Sequence, residues 1–328
     1  MSKIGIILSI IGFGVVLPGV IISFITAWQI FKNTLYRSAK KPRTRSCSDE
    51  AIAEQKRMFD IGTAWAAQYK DITHPLHIVN DGLNLYGEYI DFGHKKCAII
   101  LQGRTESLLY SYYYADVYAK NGYNILVVDV RAHGFSDGKY QTAGIKESDD
   151  LVLWIKLIHE KYAVNDFTFH GVCVGGAAAI YTYVKLKNEG IDLVKRIVTD
   201  GMFQSYYEIF KQNFKMRKKP VFPVLHMVFL LAFVFAKVRL FEETPMKYIK
   251  NIDIPILFIW SKKDIFCIPS KSEELFEACA SKHKELRFFP EGRHSHVRST
   301  QEAEYDDCIA KFLQYHKQSV EVNEYELS

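Results

Sequence analysis

Cys173 lies in the stretch Phe169-His170-Gly171-Val172-Cys173-Val174-Gly175-Gly176. An apolar run ending in Asp166-Phe167-Thr168-Phe169 precedes it, and Ala177-Ala178-Ala179-Ile180, a good helix start, follows. Strand, sharp turn and helix is the context of the Gly-x-Ser-x-Gly nucleophile elbow, here Gly171-x-Cys173-x-Gly175 with a thiol in place of the hydroxyl. Gly171 and Gly175 have a steric reason to be there, because a nucleophile on a strained turn leaves no room for Cβ atoms where strand and helix nearly touch. A free thiol titrates at about 8.5, and pairing with an imidazole at a helix N-terminus lowers that by several units. The thiolate is a strong nucleophile that needs less base assistance than serine. The chemistry such a turn offers is acyl transfer, with a thioester that water discharges with the help of a histidine base.

The elements that must position this turn are legible around it. Leu76-His77-Ile78-Val79 and Leu83 to Ile90 alternate about Asn80-Asp81-Gly82, a β-hairpin signal. Short apolar runs then recur at Lys96–Leu101, Asn124–Asp129, Asp166–His170, Val194–Asp200, Ile256–Trp260 and Leu286–Phe289. They are separated by helix-length segments, which indicates a parallel sheet covered on both faces. A hairpin followed by alternating β and α segments reads as a doubly wound α/β domain. Ala303, Cys308, Ile309, Phe312 and Leu313 are spaced for an amphipathic closing helix over Thr300–Tyr315, and the acidic tail after it is expected to fray.

With 328 residues, 48% apolar and 24% charged, the chain is long enough for one large domain with an appendage. The net charge of +5 is mild, with excess at Lys32–Arg45 and Lys211–Lys219, each beside an apolar segment. No basic stripe with interleaved stacking aromatics points to nucleic acid. The six cysteines (Cys47, Cys97, Cys173, Cys267, Cys279, Cys308) include no Cys-x-x-Cys pair, so neither a zinc site, a redox dithiol nor a disulfide framework is expected.

Ile4 to Trp28 carries no charge. Its roughly 25 residues would span about 37 Å as a helix, enough for a hydrocarbon core of about 30 Å. A single transmembrane anchor is therefore expected. The excess of Lys and Arg after the run, against Lys3 alone before it, places the large domain in the cytoplasm. The expected organisation is an anchor over 1–31, a basic juxtamembrane linker and helix over 32–70, core over 71–200, a helical lid over 201–250, core again over 251–318 and a flexible acidic tail over 319–328. The lid contains the apolar run Val224–Ala236, about thirteen residues and too short to span a bilayer. It is either buried against the core or dips into the membrane interface.

From about Leu76 to Leu313 the chain resembles the α/β-hydrolases, in particular the bacterial membrane-anchored hydrolases of the serine aminopeptidase-like group. The resemblance rests on Asp129-x-Arg131-x-His133-Gly134-x-Ser136, the elbow at Cys173, Pro255–Ile259 leading to Asp264, and Glu291-Gly292-Arg293-His294. It implies an α/β-hydrolase fold and a triad in the order nucleophile, acid, base: Cys173, Asp264, His294. His296 is the alternative base. The oxyanion hole is implied at the backbone N–H groups of Val174 and of Arg104, the latter in Gln102-Gly103-Arg104, where Gln102 replaces the family's usual histidine. His170 and His133 are expected to be structural. Dienelactone hydrolases are similar in carrying Gly-x-Cys-x-Gly-Gly at the elbow. The resemblance implies a hydrolase of acyl or lipid-like esters or thioesters, with no metal or organic cofactor, the membrane bilayer as partner and no obligate protein partner. The competing class is a membrane-tethered binding protein that keeps the fold but has lost catalysis.

Overall fold

An Asp-Gly turn opens the sheet. β1 (Thr73–Asn80) and β2 (Leu83–Ile90) pair antiparallel across Asp81 and Gly82, whose φ angles of 51° and 73° are the positive pair that a tight type I′ turn requires. In the computed structural model, which describes residues 14, 16–37, 45–47, 49 and 52–325, this hairpin is the edge of an eight-stranded sheet. The remaining strands are β3 (Lys96–Leu101), β4 (Asn124–Val128), β5 (Asp166–Val172), β6 (Val194–Asp200), β7 (Ile256–Ser261) and β8 (Lys284–Phe289). Their order is β1-β2-β4-β3-β5-β6-β7-β8, antiparallel only at the β1–β2 and β2–β4 pairings. The central strands read as unbroken apolar runs because both their faces are covered: Cys97 to Leu101 are fully buried. β3 and β5 lie side by side, so the loops after them meet at the carboxyl edge of the sheet.

The described part of the apolar N-terminal run packs partly against the domain. Its C-terminal part forms α1 (Leu17–Thr34), and Ala27, Phe31 and the following Leu35, at a spacing of four, are buried against the domain. Trp28 meets Phe235 edge-on at 5.3 Å, and Phe31 lies 5.7 Å from Tyr140. Among the described residues no helix is long and apolar enough to cross a membrane. Ser23, Thr26, Gln29 and Asn33 dilute the hydropathy of α1; Ala27 and Phe31 pack on the domain, whereas Leu17, Val20, Ile21, Phe24 and Ile25 stay exposed. This overturns the expected span and the cytoplasmic orientation deduced from it; residues 1–13 and 15 lie outside the described residues. Two basic residues that follow the run, Arg37 and Arg45, contact protein. Arg37 donates to the carbonyls of Ser136 and Gly134, and Arg45 bridges Glu88 at 2.6 Å and Asp129 at 3.4 Å while lying over the Phe135 ring.

Two helices flank the centre of the sheet, α2 (Glu147–Tyr162) and α3 (Val174–Asn188). Between β6 and β7 come α4 (Tyr206–Met216) and α5 (Val224–Leu231), the latter ending in a π turn over Ala232–Ala236. Within this run Leu225, Val228, Phe229 and Ala232 are buried, whereas Leu230, Phe233, Val234 and Phe235 keep an outward apolar face. The closing helix α6 (Glu302–Tyr325) runs past Tyr315, in keeping with the lack of any Gly or Pro to stop it.

Candidate active site

The turn at Cys173 is shaped by three backbone approaches. Cys173 closes β5 and caps α3 with φ 51° and ψ −106°, a conformation that L-residues rarely hold without enforcement. Its N–H donates to the Asp200 carbonyl at 2.8 Å. A Cβ on Gly171 would lie 2.4 Å from the backbone of Gly175 and Gly176, and one on Gly175 would lie 2.6 Å from the Leu101 carbonyl oxygen. Both glycines are therefore required by contact, as their spacing implied. The turn leaves Cys173 buried, with 8% of its surface exposed, at one wall of a cavity that Arg104 and His294 also line.

His294 stands in the loop after β8, and its Nδ1 lies 2.7 Å from Oδ2 of Asp264 in the loop after β7. The other oxygen, Oδ1 of Asp264, accepts from the amides of Phe266 and Cys267, both at 2.8 Å, which fixes the carboxylate toward the ring. With Nδ1 engaged by the carboxylate, Nε2 is the ring nitrogen left for proton exchange. Burial opposes charge on the imidazole, but the neighbouring sulfurs of Cys173 and Cys267 and the Asp264 carboxylate outweigh it and push His294 well above its ordinary value. His296 is held elsewhere: its Nδ1 lies 2.6 Å from the His294 carbonyl.

The Asp129-to-Ser136 motif supports the turn that carries Arg104. Asp129 accepts from the amides of Leu108 and Phe135, and Arg131 forks onto Asp150 at 2.6 and 2.8 Å. His133, fully buried, sets Nε2 2.9 Å from the carbonyl of Arg104 and Nδ1 3.0 Å from that of Arg131. It thereby braces the turn that carries the Arg104 amide. Glu106 accepts from the Gly103 amide at 3.1 Å and from Gln55 Nε2 at 3.3 Å. Gln102, standing where the family has histidine, is buried with Nε2 unpaired among the described residues. Val174 is the first helical residue of α3, so its N–H has no intrahelical acceptor and is available, as an oxyanion donor must be.

Two groups near the site, Cys267 and Asp200, carried no sequence signal. The Cys267 thiol donates to the Gly201 carbonyl at 3.2 Å, and burial pushes it up to about 12 despite the His294 ring beside it. Asp264, Cys267 and His294 bring ligand-type atoms within 4.8 Å of one another, though hydrogen bonds already engage all three. Asp200, fully buried at the end of β6, accepts from Tyr305 at 2.9 Å, and burial raises its carboxyl to about 7. His170 is the structural residue expected: it lies between the hydroxyls of Tyr118 at 3.0 Å and Tyr305 at 3.2 Å, and burial lowers it to about 3.

The cavity in front of Cys173 has a volume of about 710 Å³. Ile22, Thr26 and Ile30 of α1 form one side, and Ile209, Phe210 and Phe214 of α4 form another. A helix expected in a bilayer is thus part of the pocket wall.

Residues 223–301 match the family described as serine aminopeptidase, S33. The uncharacterized protein YqkD of Bacillus subtilis is 27% identical over 225 residues, covering 68% of this chain and 72% of that one. The uncharacterized membrane protein YNL320W of Saccharomyces cerevisiae is 24% identical over 196 residues, 60% of this chain and 62% of its own length. Among solved structures, an esterase of Pyrococcus furiosus superposes with a TM-score of 0.61 at 23% identity, over 75% of this chain and 93% of the esterase. The chain has the α/β-hydrolase fold, with a resemblance to serine aminopeptidase-like hydrolases in its sequence.

Proposed function

We propose that this chain hydrolyses carboxylic ester or thioester bonds of small acyl substrates through a covalent intermediate on Cys173. The observation that carries the reading is the 2.7 Å hydrogen bond from His294 to Asp264, with His294 facing the same cavity as Cys173 on its strained turn. The esterase name of the structural neighbour agrees with it.

The Cys173 thiolate attacks the carbonyl carbon, and the C–S bond forms as the oxygen takes the negative charge toward the Arg104 and Val174 amides. The tetrahedral centre then collapses, breaking the bond to the leaving oxygen or sulfur, which takes the proton from the His294 imidazolium. Water enters next, His294 Nε2 takes its proton, hydroxide adds to the thioester, and Cys173 departs as thiolate. Asp264 holds the imidazole in the tautomer that these transfers need. The segment 201–250 serves as the lid over this site, set between core parts 71–200 and 251–318.

Single-turnover reaction with p-nitrophenyl and thioester substrates, followed by intact mass, tests the assignment. An acyl adduct on Cys173 that clears in the parent and persists in His294→Ala establishes nucleophile and base. Absence of both adduct and turnover, with activity gained in Cys173→Ser, would instead identify a silenced hydrolase fold kept for binding.

A further inference from the structure

The cavity in front of Cys173 is lopsided in charge. Its lining includes three cationic side chains, Arg104, Arg217 and Lys219, and among the described residues no carboxylate. None of the three forms an ion pair among the described residues, whereas neighbouring cations of the same 201–250 segment do. Lys211 pairs with Glu208 at 3.0 Å, Arg239 with Glu242 at 3.2 Å and Lys247 with Glu243 at 3.2 Å. The acids that would neutralise such groups are therefore present in this segment but committed elsewhere. Arg104 is partly buried and lines the same cavity as Cys173, and Arg217 and Lys219, both exposed, stand at its rim where α4 ends, past Phe214. The rest of the wall divides cleanly. Ile22, Ile30, Ile209, Phe210 and Val224 offer an apolar surface, and Asn213, Asn33 and Thr34 are neutral polar groups that tolerate an anion.

Resting on the hydrolase reading above, we infer that the substrate is an anionic acyl ester or thioester, with an aliphatic acyl chain on the isoleucine–phenylalanine wall and a phosphate or carboxylate facing Arg104, Arg217 and Lys219. The chemistry is that of a positive, partly enclosed cleft, which concentrates anions and strengthens each charge-assisted hydrogen bond made inside it. A neutral ester of the same chain length would leave three cations facing an apolar or uncharged group. Arg217 and Lys219, two members of the basic cluster Lys211–Lys219 conspicuous in the sequence, thereby acquire a role at the pocket rim.

Three probes share an octanoyl chain and differ in the alcohol: glycerol, glycerol phosphate and glycolate. The expected result is a kcat/KM for one or both anionic probes at least on the order of tenfold above the neutral probe at low salt, the ratio shrinking as ionic strength rises. In Arg217→Gln/Lys219→Gln that ratio falls toward one. Preference for the phosphate alone, or for phosphate and carboxylate alike, separates the two sources of charge. Turnover of all probes with a ratio at or below one at every salt concentration overturns the inference and leaves the hydrolase reading intact. Calorimetric binding of octyl phosphate against octyl glucoside to Cys173→Ala decides charge preference without catalysis. Selective binding of the phosphate without turnover in the parent would sink the hydrolase reading alone, and equal binding would sink the anionic pocket.

Discussion

Replacing Gly171 by alanine tests the physical basis of the nucleophile turn. A Cβ there would lie 2.4 Å from Gly175 C and Gly176 N and 2.5 Å from Gly175 O. Ordinary carbon contacts fall at about 3.5 Å or more, so the first turn of α3 must retreat by about 1 Å. Every clashing atom is backbone, and no rotamer change relieves the contact. Retreat is also opposed on the far side, where Gly175 sits so close to Leu101 that its own Cβ position is 2.6 Å from the carbonyl oxygen. Overpacking of this kind costs about 1–3 kcal/mol where neighbours can yield, so the top of that range is expected here. Gly190→Ala is the control. Gly190 has φ +73° with no atom within 4 Å of the added methyl, so it bears only the left-handed backbone cost of about 1 kcal/mol. Urea unfolding monitored by tryptophan fluorescence should place Gly171→Ala about 2 kcal/mol below Gly190→Ala. Displacing the thiol by that distance should also cost on the order of 100-fold in acylation rate. Stabilities equal within about 0.5 kcal/mol, with unchanged acylation, would refute the claim that strand and helix touch at this turn.

Three other outcomes follow from the geometry. Asp264→Asn should lower kcat by about 100-fold or more, because Nδ1 loses the carboxylate that sets the tautomer, while substrate binding persists; unchanged kcat would remove Asp264 from the mechanism. Burial raises the Asp200 carboxyl to about 7 in the fold, so the folded state holds the proton to higher pH than the unfolded chain. Stability contributed by this group therefore falls as pH rises from about 4 to about 7 and is flat above. Asp200→Asn should abolish that fall, worth on the order of 1–4 kcal/mol, and denaturation at about pH 5 and about pH 8 measures it. Phe31→Ala should cost about 3 kcal/mol locally and release α1 to proteolysis. Because Ile22, Thr26 and Ile30 line the cavity, it should also raise KM for long acyl chains more than for acetyl esters.

Much of this protein is written locally. Each of the eight strands lies on an apolar or alternating run visible in the chain, because a sheet buried on both faces needs continuous apolar strands and a hairpin needs its Asp-Gly turn. Gly171 was legible for the same reason, since its constraint is a backbone contact within five residues of sequence, whereas the contact that constrains Gly175 is with Leu101 on the neighbouring strand and is made only by the fold. His294 and Asp264 were readable only through resemblance, and their hydrogen bond is a matter of where two loops meet across the edge of the sheet. The fate of the apolar N-terminus lay beyond sequence. Hydropathy measures how much a segment avoids water, and both a bilayer and a protein groove meet that demand; what set α1 against the domain is the complementary surface formed by Phe235, Tyr140 and helix α5. Cys267, Asp200 and Glu106 gave no signal either, since each acquires its part from neighbours distant in the chain: the Gly201 carbonyl, Tyr305 and Gln55. Residue type and spacing determine what a local turn can do. Burial, and the fields and acceptors that burial brings together from distant segments, are decided only when the chain has folded.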